Sequence, residues 1–143
     1  MIGLPLKIAL IDAGPLVALF DPSDAAHAHY EKMLADAYRP MRLYSTWPCI
    51  VEASHLVGPL QRVQLLRWVA LGGVQVFPFD ADDLLDMTDW MLRYSEPRKT
   101  EMDFADASLY WLASETGVTA ILTVDVKDFS RYRLPDGRAF ELH

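Results

Sequence analysis

Residues 8–21 read IALIDAGPLVALFD, and the fold turns on how that stretch is punctuated. Ile8 to Ile11 is a short apolar run bounded by Lys7 and Asp12, the pattern of a buried strand. Gly14-Pro15 then opens a helix, because proline at a first helical position loses nothing through its missing N–H. Working outward, Ser23 is placed to cap a helix from about Asp24 to Tyr38, and Leu43 to Ser45 reads as a short strand. Pro48 starts a helix to about Val57, Gly58-Pro59 interrupts it, and another runs to Leu71. Val74 to Phe79 reads as a strand, followed by a helix capped by Asp80 and carrying Met87, Trp90 and Met91. After a polar loop, a helix starts at Asp103 or its neighbour and ends at Gly117. Ala120 to Val124 is a strand, and Ala139 to Leu142 reads as a last short one. Strands alternating with helices at this spacing predict βαβ units and a parallel sheet covered on both faces. Such sheets place their chemistry at the carboxyl ends of the strands.

The whole chain, residues 1–143, reads as one domain. A chain of this length buries roughly 70% of its unfolded surface, enough for a core without covalent staples. The single cysteine, Cys49, excludes an internal disulfide and a Cys-rich zinc site. The N-terminal apolar run is broken by Lys7 and carries no cleavage pattern of a leader. The longest weakly polar run, Trp68 to Phe79, is too short and too polar to span a membrane, so a cytoplasmic location is expected. A net charge of −7 argues by itself against a nucleic-acid partner and suits a protein that concentrates carboxylates around cations.

The carboxylates do cluster in the predicted topology. Asp12 and Asp125 each follow a strand, where two aspartates would face one crevice. Glu52 is the only formal charge from Leu43 to Gln61, in a helix expected to be largely buried, where a lone carboxylate is expensive unless paired or metal-bound. Asp103 and Asp106 share a helix face, though acidic residues in a first turn also suit the macrodipole. Asp80, Asp82 and Asp83 read as a solvated helix start. Ligands that are all oxygen favour a hard cation such as Mg²⁺ or Mn²⁺ over zinc.

The segments IALIDAGPLVALFD, WPCIVEASHLV (47–57), MDFADASLYWLA (102–113) and ILTVDVKDF (121–129) together resemble the four blocks of PIN-domain ribonucleases, many of them VapC-type toxins of toxin–antitoxin pairs. The resemblance implies a three-layer α/β/α, Rossmann-like fold with a central mostly parallel sheet, and Mg²⁺-dependent cleavage of RNA. It maps the family's acidic quartet onto Asp12, Glu52, Asp106 and Asp125 as catalytic and metal-binding residues, with Asp103 and Thr123 accessory. It further implies a small antitoxin partner. One departure is that Ala13 and Gly14 stand where the family often has a hydroxyl or amide residue. Arg93, Arg98 and Lys99 precede Asp103, and Lys127, Arg131, Arg133 and Arg138 follow Asp125. Of these, Arg98, Lys99, Lys127 and Arg131 are expected to contact RNA phosphates. Trp68, Trp90 and Met91, expected to be exposed, suggest a homodimer. An aspartyl-nucleophile phosphatase on a similar sheet would want a second aspartate at Gly14. A PIN-like domain acting only through protein contacts would not need all four carboxylates.

Overall fold

The computed structural model describes residues 7–143. The start of the N-terminal run read above as no leader, residues 1–6, lies outside them. Five strands run β1 Lys7–Ile11, β2 Met41–Ser45, β3 Gln75–Val76, β4 Ala120–Leu122 and β5 Glu141–Leu142. The helices are α1 Ala13–Phe20, α2 His27–Ala35, α3 Trp47–Leu56, α4 Pro59–Ala70, α5 Asp83–Arg93, α6 Phe104–Thr116 and α7 Val126–Phe129. The strands form one sheet in the order β3-β2-β1-β4-β5, and every pairing is parallel.

Strand alternation divides the core between the two faces of the sheet. Ala9 and Ile11 of β1, with Ala120 and Leu122 of β4, pack with Leu16, Tyr30 and Leu65 from α1, α2 and α4. Leu10 and Ile121, pointing the other way, pack with Met87, Leu109 and Phe129 from α5, α6 and α7. α3 serves both faces, with Ile50 and Ala53 in one cluster and Cys49 in the other. The result is the expected three-layer α/β/α architecture.

Several boundaries differ from the sequence reading for local reasons. α2 begins at His27 because Ser23 donates its hydroxyl to Asp21 at 2.6 Å, while Asp24 accepts from the Ala26 N–H at 2.8 Å. That Asx turn delays the helix. α5 begins at Asp83, whose carboxylate accepts from the Asp80 N–H at 2.8 Å, so Asp80 does not cap it. β4 ends before Thr123, and the short α7 was not anticipated. α3 is not largely buried: Trp47, Val51 and Leu56 are exposed.

Trp68, Trp90 and Met91 are also not free surface. Trp68 lies edge-on to Phe20 and Trp90 against Tyr110, and all three side chains pack against the core. The exposed apolar residues of α4 and α5 are leucines and a valine instead, Leu60, Val63, Leu66, Leu84, Leu85 and Leu92. Among the described residues no helix is long and apolar enough to cross a membrane.

Buried Tyr30 ties α2 to the sheet. Its hydroxyl sits 3.1 Å from the Thr123 carbonyl and 3.0 Å from that of His143. Tyr30→Phe should lower unfolding free energy by about 1 kcal/mol, the net worth of a typical hydrogen bond. An unchanged urea midpoint would show that the hydroxyl contributes nothing.

Candidate active site

Each carboxylate of interest is set by the end of an element. Asp12 closes β1 and caps α1, accepting from the Ala13 N–H at 2.8 Å. Its other oxygen accepts from the Thr123 hydroxyl at 3.1 Å. The same hydroxyl accepts from the Asp125 N–H at 3.0 Å, so Thr123 ties the ends of β1 and β4 together. Asp125 in turn caps α7, accepting from the Asp128 N–H.

The two aspartates at the start of α6 divide their work. Asp103 is the cap, accepting from the Asp106 N–H at 2.8 Å. Asp106 is not a cap: it is buried, and its carboxylate accepts from the Tyr132 hydroxyl at 2.7 Å. Tyr132 is 26 residues away in sequence, so no local pattern announced this contact.

Oxygens of Asp106, Asp125 and Asp128 lie within 4.8 Å of one another, close enough to share one cation. Asp128 was passed over in the sequence reading, although its spacing from Asp125 repeats that of Asp103 and Asp106. Asp12 and Asp103 do not close to that spacing with the trio but act on it through charge, and Glu52 acts on Asp12. Burial, then the Asp103 charge, raises Asp106 to about 8 against partial relief from Tyr132, with Asp12 and Asp125 adding to the rise. Burial raises Asp12 to about 6 despite its two hydrogen-bond donors, and Glu52 and Asp103 add to it. Asp125 is raised first by burial, with the Asp128 and Asp103 charges adding. Glu52 is an exposed residue, yet partial burial of its carboxyl and then Asp103 raise it too.

Asp103 is thus the one charge felt by all four. Among the described residues no ion pair reaches any of these five carboxylates; of the site's acids only Asp128 has a cationic partner, Arg131 at 3.2 Å. Hard oxygen donors crowded together without counter-charge fit a divalent cation.

The neighbouring cations fall into two kinds. Arg98, Lys99 and Lys127 are exposed. Arg131 is turned inward: besides Asp128 it donates to the Tyr94 carbonyl at 2.7 Å and lies over the Tyr132 ring at 5.0 Å. It braces Asp128 and Tyr132 rather than presenting itself to solvent. Burial pushes the Cys49 thiol well up, leaving it inert as a nucleophile.

A side chain two places after Asp12 would meet Val124. A Cβ at Gly14 would stand 2.4 Å from Val124 Cγ2, so Val124 fills the space a side chain at position 14 would need.

Comparison with known proteins follows the same lines. No curated protein matches the chain in sequence. Among solved structures, VapC20 of Mycobacterium tuberculosis, a sarcin-ricin loop cleaving toxin, superposes with a TM-score of 0.71 at 20% identity over 85% of this chain and 92% of its own. VapBC2 from Rickettsia felis, bound to a DNA fragment from its promoter, gives 0.62 at 13% identity over 96% of this chain and 99% of its own. These likenesses establish the fold. The PIN domain family model matches residues 9–134, from β1 past every carboxylate discussed above, and the chain therefore belongs to the PIN domain family.

Proposed function

We propose that the protein is a Mg²⁺- or Mn²⁺-dependent endoribonuclease, the toxin of a toxin–antitoxin pair, acting in the cytoplasm. The observation that carries the reading is the gathering of carboxylates at the carboxyl end of a parallel sheet, all but Asp128 without a cationic partner among the described residues. The PIN family, the RNA-cleaving toxin of similar fold and the VapBC2 likeness support it, the last also supporting a small antitoxin as partner. A homodimer through leucines exposed on α4 and α5 belongs to the same reading.

In it, Asp106, Asp125 and Asp128 hold a cation, with Asp12 and Glu52 completing the carboxylate wall. A bound divalent ion supplies an activated water and charge neutralisation at the scissile phosphate. The chain's own residues prepare that chemistry. Thr123 and Tyr132 fix the rotamers of Asp12 and Asp106 with neutral donors, which bring no positive charge to compete with a cation. Asp103 keeps the N-terminus of α6 rigid. Arg98, Lys99 and Lys127 are free to meet phosphates on either side.

Purified protein should cleave single-stranded RNA with Mg²⁺ or Mn²⁺ and lose that activity in excess EDTA. Asp12→Asn, Glu52→Gln, Asp106→Asn and Asp125→Asn should each reduce cleavage by roughly a hundredfold or more, whereas Asp80→Asn should not. Full activity in EDTA, or equal loss at Asp80 and Asp106, would overturn the assignment.

The raised pKa values also give a stability signature. Below about pH 4 Asp12 and Asp106 are protonated in folded and unfolded chains alike. As pH rises through 6 and then 8, the folded metal-free protein must ionise groups that the unfolded chain ionised already, so stability falls. A tenfold difference in proton affinity is worth about 1.4 kcal/mol, or roughly 5 °C of melting temperature for a domain of this size. Metal-free wild type should therefore melt at least about 5 °C lower near pH 9 than near pH 5. Asp106→Asn, which keeps an acceptor for Tyr132, should flatten that slope and weaken the upward shift that Mg²⁺ gives the wild type. Melting curves with EDTA and with Mg²⁺ at both pH values read this, and a variant far less stable than wild type without metal would make Asp106 a structural residue.

A further inference from the structure

We propose that the apolar pocket beside the carboxylates holds an unpaired nucleobase of the RNA strand, stacked against Trp47 and Phe104. The inference rests on the nuclease reading above and assigns that site a substrate-binding feature. The pocket has a volume of about 660 Å³. Its walls are Trp47, Val51, Phe79 and Phe104, and its two acids are Glu52 and Asp103.

Both aromatic walls are built by the fold. Trp47 opens α3 immediately after β2, and Phe104 opens α6 immediately after the Asp103 cap. Phe79 lies edge-on to Phe104 at 5.7 Å and to Trp111 at 5.8 Å, which holds Phe104 in place from behind. Even so, Trp47 remains 51% and Phe104 43% exposed. Trp47 and Phe104 thus leave large areas of aromatic surface open beside a carboxylate crevice, Phe104 being covered from one side by Phe79.

The occupant follows from chemistry and continuity. Glu52 and Asp103 line the pocket, and Asp103 accepts from the backbone N–H of Asp106 at 2.8 Å, so the pocket lies directly beside the carboxylates. A strand held by its phosphate over the carboxylates carries a base directly beside that phosphate. No lysine or arginine lines the pocket, so a phosphate has no cation to meet inside it. A base is flat and uncharged, and every base offers a π-face to an aromatic side chain. The exocyclic amino groups of adenine, cytosine and guanine can also donate to a carboxylate such as Glu52 or Asp103. Single-stranded RNA is recognised through such splayed, stacked bases.

Trp47→Leu and Phe104→Leu keep apolar bulk and remove the aromatic face. For a short single-stranded RNA each should raise KM by roughly tenfold with kcat little changed. The same RNA made abasic at one nucleotide at a time should show, at a single position, a similar KM loss with wild type. That substitution should add almost nothing further in the variants, because both changes remove one contact. KM unchanged in both variants, or losses from protein and RNA changes that simply multiply, would overturn the proposal. So would variants that lose binding to a polypeptide antitoxin while their KM for RNA holds. If wild type cleaves no RNA with Mg²⁺ or Mn²⁺, the nuclease reading fails. Fluorescence-polarisation titration of the same intact and abasic oligonucleotides then decides the base contact on its own.

Discussion

The parallel pairing of β1 with β4 is the constraint on which the site depends. The register sets Leu10 against Ile121 and Ile11 against Leu122. Beyond that pairing the chain parts. α1 packs on one face of the sheet through Leu16 and Ala18, while α7 packs on the other through Phe129. Connections that leave adjacent strands toward opposite faces open a crevice between them. Asp12 stands on one lip of it, and Thr123 and Asp125 on the other. Thr123 bridges the gap with a single hydroxyl that both donates to Asp12 and accepts from the Asp125 backbone.

The electrostatics of this arrangement are deliberately unbalanced. Proteins ordinarily pair buried charges, and this chain does use arginines, but it directs Arg131 to Asp128 and Arg138 to Asp136, and among the described residues none to Asp12, Glu52, Asp103, Asp106 or Asp125. Asp12 and Asp106 receive only neutral donors, which orient a carboxylate without cancelling it. The net charge of −7 is therefore no contradiction of an RNA substrate. Part of the acidity is gathered where a divalent cation would offset it, and Arg98, Lys99 and Lys127 are exposed.

Much of this was legible in the sequence because it depends on local punctuation. β1 and β4 are announced by apolar runs that stop at Asp12 and Asp125, α3 by Pro48, and α6 by Asp103 at its start and Gly117 at its end, and their order gives the layered fold. What escaped depends on long-range packing. The four residues of α7 are too few to show a helical period, so Asp128 was not recognised as sharing a turn with Asp125. The Tyr132–Asp106 contact joins residues far apart in the chain. α3 misled for a different reason. An exposed apolar face and a buried one look alike in sequence, so Trp47, Val51 and Leu56 made Glu52 look more enclosed than it is.

The contact between Gly14 and Val124 also restricts how such a sequence can drift. A side chain at position 14 and valine at position 124 compete for one volume, with 2.4 Å between their carbons where contact distance is nearer ~3.5–4.0 Å. Val124 is 55% exposed, so the clash is relieved by turning its side chain outward or by a smaller residue there. A lineage that gains a side chain at position 14 must therefore turn or shrink residue 124 to make room. The two positions, 110 residues apart in the chain, are thus coupled through one shared volume.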